Sequence, residues 1–195
     1  MAISVDEKGI DALWSEVVAP PQPALNSVTV DPKTTALLIL DIEQRTTNID
    51  RRPRAVASVP RIRNLLGQAR SKGMVVVYST TSKGNPEDIL PEVAPKEGEP
   101  IVKSSVDKFF HTNLETILQE HDIDTVIVTG TAAEGAVLHT ATAAALRSMK
   151  VFVPIDCMSS SELYAEQYVS WHLVNAPGSS KNALLTRSDM ISISA

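Results

Sequence analysis

The chain has 195 residues, 43% hydrophobic and 21% charged, with a formal net charge of −5, which suits one α/β domain with a full core and leaves too little chain for two. Basic residues are scattered and acidic ones form no tail, which argues against nucleic acid as a partner. A single cysteine, Cys157, excludes an intrachain disulfide and any cysteine-built metal site.

Residues 3–18 read as a short amphipathic helix with Ile10, Leu13 and Trp14 on one side. The three prolines of Ala19 to Ala24 end it, because proline cannot continue a helix. Residues 1–33 are therefore expected to form an arm, packed on the body or on a second copy of the chain. Residues 34–195 form the domain. No basic segment followed by an apolar run opens the chain, and the apolar stretches are strand-sized; a cytoplasmic setting without membrane contact is the expectation.

From Thr34 the pattern changes. Ala36 to Leu40 is uniformly apolar and ends at Asp41, as a strand buried on both faces would. Similar runs recur at Met74 to Tyr78, Thr125 to Val128 and Val151 to Ile155, with weaker ones at Ile101-Val102 and Ala183 to Thr186. Helical patterns separate them. Ile62, Leu65, Leu66 and Ala69 share a face before Gly73. Thr112 precedes Leu114, Ile117 and Leu118. Ala136 to Met149 is rich in alanine, and Ser160 to Val174 follows a serine cluster. Strands alternating with helices predict a single-domain three-layer α/β sandwich, a mostly parallel sheet of about six strands with helices on both faces. Thr80 to Pro100, rich in Pro, Gly, Glu and Lys, is long for a connection and reads as an irregular excursion or a lid.

Ligands of open parallel sheets bind beyond the carboxyl ends of the strands. Three features point there: Asp41 after the first core strand, Lys103 after Ile101-Val102, and the small-residue turn Gly130 to Ala136 leading from strand to helix. A lysine holds an aspartate ionised, the aspartate moves a proton, and main-chain N–H groups of the turn stabilise charge developing on oxygen.

The blocks ALLILDIE (36–43), IVKSSVDKFFHTNLETIL (101–118) and VIVTGTAAEGAVLHTATAAA (126–145), in this order, resemble the isochorismatase-like, or cysteine hydrolase, superfamily. AEQYVSWHLVNAP (165–177) is similar to a cysteine-less branch of it. The resemblance implies a catalytic Asp, Lys and Cys, carried onto Asp41, Lys103 and, in place of the cysteine, Ala136. It also implies a non-proline cis peptide near Thr131-Ala132, with Thr131, Ala132 and the Ala136 N–H forming an oxyanion site. With a methyl group at 136, acyl-enzyme chemistry has no nucleophile there. Isochorismatases proper, which also lack the cysteine, are understood to hydrolyse a vinyl ether without a covalent intermediate. That scheme needs Asp41 protonated at the acid step. The histidines of the nicotinamidase metal pattern are absent, so neither metal nor cofactor is expected.

Around this centre, Phe109 and Phe110 are candidate pocket walls, Glu134 a candidate for positioning water, and Arg45, with Arg51 and Arg52 after it, a candidate for holding a substrate carboxylate. Cys157, His139 and His172 read first as packing residues and only second as functional ones. The leading expectation is a cysteine-independent hydrolase of a small polar or carboxylated metabolite, forming a homo-oligomer. The alternatives are a degenerate relative that binds a small molecule or a protein, and an engineered Cys-to-Ala form of a cysteine amidohydrolase.

Overall fold

Residues 9–194 are described by a computed structural model. In chain order the elements are helix α1 (Ile10–Leu13), strands β1 (Val28–Val30) and β2 (Thr35–Leu40), helix α2 (Pro53–Ser71), strands β3 (Val75–Thr80) and β4 (Ile101–Lys103), and helix α3 (Leu114–Glu120). Strand β5 (Thr125–Thr131), helix α4 (Leu138–Leu146), strands β6 (Lys150–Pro154) and β7 (Met158–Ser159), helix α5 (Leu163–Asn175), and strands β8 (Ala183–Thr186) and β9 (Ile191–Ile193) complete the chain.

Six strands lie in the order β4-β3-β2-β5-β6-β8, β7 adds to the end of β5, and every pairing is parallel. The central strands are apolar because both their faces are covered. On β2, Leu37 and Ile39 pack with Ile62, Leu65, Leu66 and Ala69 of α2. Ala36, Leu38 and Leu40 face the opposite layer, with Leu114 and Leu118 of α3, Ala141 and Ala144 of α4, and Val169 and Leu173 of α5. This is the expected three-layer sandwich, with seven strands in the main sheet.

A small parallel sheet pairs β1 with β9, Val28 opposite Ile191 and Val30 opposite Ile193, which the sequence reading did not foresee. The expected N-terminal helix is reduced to α1 and a 3-10 turn at Trp14–Glu16; the part before residue 9 lies outside the described residues. The excursion after Thr80 is packed down. It carries short 3-10 turns at Pro86–Asp88 and Pro91–Val93, and Ile89 and Val93 are buried.

Two features set the edge where the strands end. Pro53 at the first position of α2, where its missing N–H costs nothing, starts that helix directly after Arg52. Gly130 has φ +125°, and a Cβ there would lie 2.1 Å from the Leu40 carbonyl oxygen, so only glycine lets β5 lie this close to β2.

Candidate active site

Asp41 leaves β2 with φ 55°, a left-handed conformation unusual for a residue with a side chain. It is held there from several sides. Its N–H donates to the Ser79 carbonyl at 3.2 Å, Thr46 Oγ1 donates to its carbonyl, and Ser79 Oγ donates to Oδ1 at 2.6 Å.

The lysine beside Asp41 is Lys108, not Lys103. Lys108 is fully buried, and its Nζ lies 2.9 Å from both carboxylate oxygens of Asp41. It also donates to the carbonyls of Ser104, Ser105 and Thr80, so the ammonium is solvated by protein. The segment after β4 turns Lys108 inward. Ser104 Oγ donates to the carbonyls of Asp107 and Phe110, the Lys108 N–H donates to Thr140 Oγ1, and Thr112 Oγ1 donates to the Lys108 carbonyl. Lys103 ends the edge strand, two strands from β2 and so roughly 10 Å away by strand spacing. Its exposed Nζ reaches Asn85 Oδ1 at 3.3 Å instead.

Burial pushes the Asp41 carboxyl above its ordinary value of 3.8, and Lys108 and the Ser79 hydrogen bond only partly offset this. Removing a carboxylate from water disfavours its charged form. The second buried acid, Glu43, is fully enclosed. It accepts from Thr81 Oγ1 at 2.7 Å and the Thr81 N–H at 3.3 Å, and Gly84 fits against its carboxylate with no room for a Cβ. Glu43 thereby ties the start of the excursion to the site.

Asp41 opens on a cavity of about 300 Å³ lined by Thr46, Arg51, Arg52, Thr81, Ser82, Ser105 and Val106 on one side. Thr131, Ala132, Glu134, Gly135 and Ala136 form the other. The Thr131-Ala132 peptide is cis. From there Ala133–Val137 makes a π-helical turn leading into α4, with the N–H groups of Gly135 and Val137 donating to the Ala132 carbonyl. Ala136 presents only a methyl group, 3% exposed.

The structure thus brings together Asp41, Thr131, Ala132, Glu134 and Ala136, and leaves other candidates aside. Phe109 packs in the core with the Arg147 guanidinium 4.4 Å over its ring, and Phe110 points outward beside His111; Val106 takes the wall position. Arg45 is exposed and off the cavity, and its carbonyl accepts from Arg51. His139 is exposed, and His172 hydrogen-bonds Tyr168 on the outer face of α5. Among the described residues, no group of three or more His, Cys, Asp or Glu side chains is disposed to hold a metal, and no helix is long and apolar enough to cross a membrane.

Two larger clefts, of about 410 and 520 Å³, lie where Pro20 to Pro23 run beside Trp171 of α5. The charged residues that line them already have partners within the chain. Arg54 binds Glu166, Arg187 binds Asp189, and Ser188 holds Asp156. Of these three cavities among the described residues, the smaller one joins a buried titratable pair to a backbone turn.

Residues 35–181 match the isochorismatase domain family. The chain is 30% identical over 143 residues to an N-carbamoylsarcosine amidase of an Arthrobacter species, covering 59% of this chain and 53% of that protein. It is 28% identical over 120 residues to the isochorismatase family protein YaaI of Bacillus subtilis, covering 53% and 66%. The matched regions thus span less than two thirds of either relative. Among solved structures, N-carbamoylsarcosine amidase from Thermoplasma acidophilum superposes with a TM-score of 0.69 at 24% identity, over 80% of this chain and 97% of that one. A cysteine hydrolase from Pseudomonas syringae pv. phaseolicola gives 0.71 at 19%, over 86% and 94%. These structures establish a shared fold, and the family match over three quarters of the sequence goes further: this chain belongs to the isochorismatase family.

Proposed function

We propose that this protein is a hydrolase of a small polar molecule that works without a thiol nucleophile. Asp41 donates and recovers the proton, Lys108 is its charge partner, and the Thr131 to Ala136 backbone receives developing oxygen charge. One observation carries the reading: a buried, ion-paired Asp41 faces a turn whose residue 136 has no reactive side chain. Relatives of this chain include an N-carbamoylsarcosine amidase and, by fold, a nicotinamidase from Staphylococcus aureus. Ala136 takes the position we assign to the cysteine of the cysteine-dependent members.

An enol ether is the substrate class that such a site can hydrolyse. Protonated Asp41 gives its proton to the terminal carbon of the double bond, leaving an oxocarbenium ion and an aspartate stabilised by Lys108. Water adds to the cationic carbon and returns a proton to Asp41, with Glu134 placed to orient that water. The hemiketal then collapses to a carbonyl compound and an alcohol. Burial raises the proton affinity of Asp41, which favours the form the first step requires.

The test is Asp41→Asn in a turnover assay on a panel of carboxylated enol ethers. A loss of about 10²-fold or more is expected from removing a general acid; unchanged turnover removes Asp41 from the mechanism. The methyl group at 136 favours one second reading, a protein that binds this ligand without converting it. Multiple turnovers on any member of the panel eliminate that reading.

A further inference from the structure

We propose that Arg52 is the specificity-determining residue of this site, anchoring a carboxylate on the substrate. The inference rests on the cavity beside Asp41 being the substrate site, and narrows its ligand to a small carboxylate.

The argument comes from comparing arginines. Arg70 and Arg52 are the two half-buried arginines among the described residues. Arg70 is fully employed: Nε and Nη2 grip the two oxygens of Glu99 at 2.8 and 2.7 Å, and Nη2 also donates to Tyr78 Oη and the Ala94 carbonyl. Among the described residues, the Arg52 side chain has no carboxylate within ion-pair distance, and its Nε is buried without a hydrogen-bond partner. A buried, unanswered donor on a permanently charged group is costly. Arg45, Arg51 and Arg63 also lack an acidic partner, but all three are exposed and solvated. Arg52 is therefore built for an anion that the chain does not itself provide.

Its place says where that anion lies. Arg52 lines the same cavity as Asp41, Ala136 and Glu134, with Arg51 beside it. Burial and the neighbouring Arg51 charge both disfavour the Arg52 cation, while Glu134 and Asp41 favour it from beyond contact distance. Arg51 and Arg52 are the cationic side chains among the residues that line the cavity. A planar guanidinium binds a carboxylate by donating two parallel hydrogen bonds to it. The substrate is thereby held by one end at the start of α2, leaving its reactive part to span towards Asp41 and the 131–136 turn.

The side chain can be changed without disturbing the helix. Arg52 supports α2 through its backbone, its N–H donating to Asn48 O and its carbonyl accepting from Ala55 and Val56. The probes are 2-methoxypropanoate and 2-methoxypropanamide, titrated calorimetrically or followed by ligand-observed NMR. Neither has a carbon–carbon double bond, so neither can be turned over by the scheme above. The native protein is expected to bind the acid about tenfold or more tightly than the amide, a preference of the size of one charge-assisted pair. Arg52→Met should abolish that preference with amide binding unchanged, Arg52→Lys should keep part of it, and Arg51→Met should reduce it less than Arg52→Met. An acid that fails to bind the native protein, or a preference that survives Arg52→Met, overturns the proposal. Inactivity on enol ethers with an intact, Arg52-dependent preference would instead sink the catalytic reading and leave this one standing.

Discussion

Two places on the carboxyl edge of the sheet look alike in sequence and differ in space. Asp41 follows β2, and the pair Asp156-Cys157 follows β6; each puts ionisable chemistry at the end of a core strand. At β6 the two groups are engaged or enclosed, although Asp156 borders the cleft of about 410 Å³. Asp156 accepts from the Ser188 N–H at 2.8 Å and Ser188 Oγ at 2.7 Å, with Arg61 at 3.8 Å. The Cys157 thiol has no exposed surface, and burial and the adjacent Asp156 push it up to about 12. At β2 the Asp41–Lys108 pair opens instead on a 300 Å³ cavity. A strand-end position supplies the opportunity for a site, and a buried charged pair that meets open space across from a backbone turn supplies the site.

The contrast breaks most readily with thiol chemistry. At pH 8 a thiol titrating near 12 is ionised in only about one molecule in ten thousand, so Cys157 should resist an aromatic disulfide reagent in the folded protein. Ala136→Cys should introduce a thiol that reacts readily from the open cavity. Equal labelling of the native protein and the variant would mean that the two places are not closed and open as described.

Stability separates the two lysines next. Lys108→Met strands a buried carboxylate and should lower unfolding free energy by about 3–5 kcal/mol in a denaturant titration. Lys103→Met should change it by less than about 0.5 kcal/mol, as exposed substitutions do. Similar costs for both would refute the assignment of the ion pair.

The pH profile sharpens the description of Asp41. A general acid works in its protonated form, so kcat/KM should be highest at low pH and fall about tenfold per unit above the Asp41 pKa. Because burial raises that pKa, the fall should begin above 3.8, and it should vanish from whatever activity remains in Asp41→Asn. A descending limb unchanged in that variant assigns the titration to another group. At β6, Asp156→Asn weakens the bonds from Ser188. It should cost about 1 kcal/mol in stability and leave turnover as it was.

How much of this was legible before the coordinates follows from which interactions are local. Uniform apolar runs such as 36–40 and 125–128 declared the buried parallel strands, because no other element needs apolar residues at every position. Strands β1 and β9 are three residues each and come from opposite ends of the described chain, so neither carries a pattern of its own. Asp41 and the 130–136 turn were legible because strand ends fix the edge where ligands bind. Lys108 was not. Its inward path depends on hydrogen bonds from Ser104, Thr112 and Thr140 that no spacing rule displays. The same turn sends Phe109 into the core and Phe110 outward, so two adjacent aromatics that read as one wall belong to neither side of the cavity. Arg52 was one of three arginines in a polar stretch, and only its solitary burial distinguishes it.

Gly130 sets a dimension as well as a backbone angle. Its bare Cα rests against the Leu40 carbonyl, one peptide before Asp41, so the gap between Asp41 and the 131–136 turn is gauged by a missing methyl. Enlarging residue 130, even to alanine, would wedge the two rims of the cavity apart without altering any side chain that lines it.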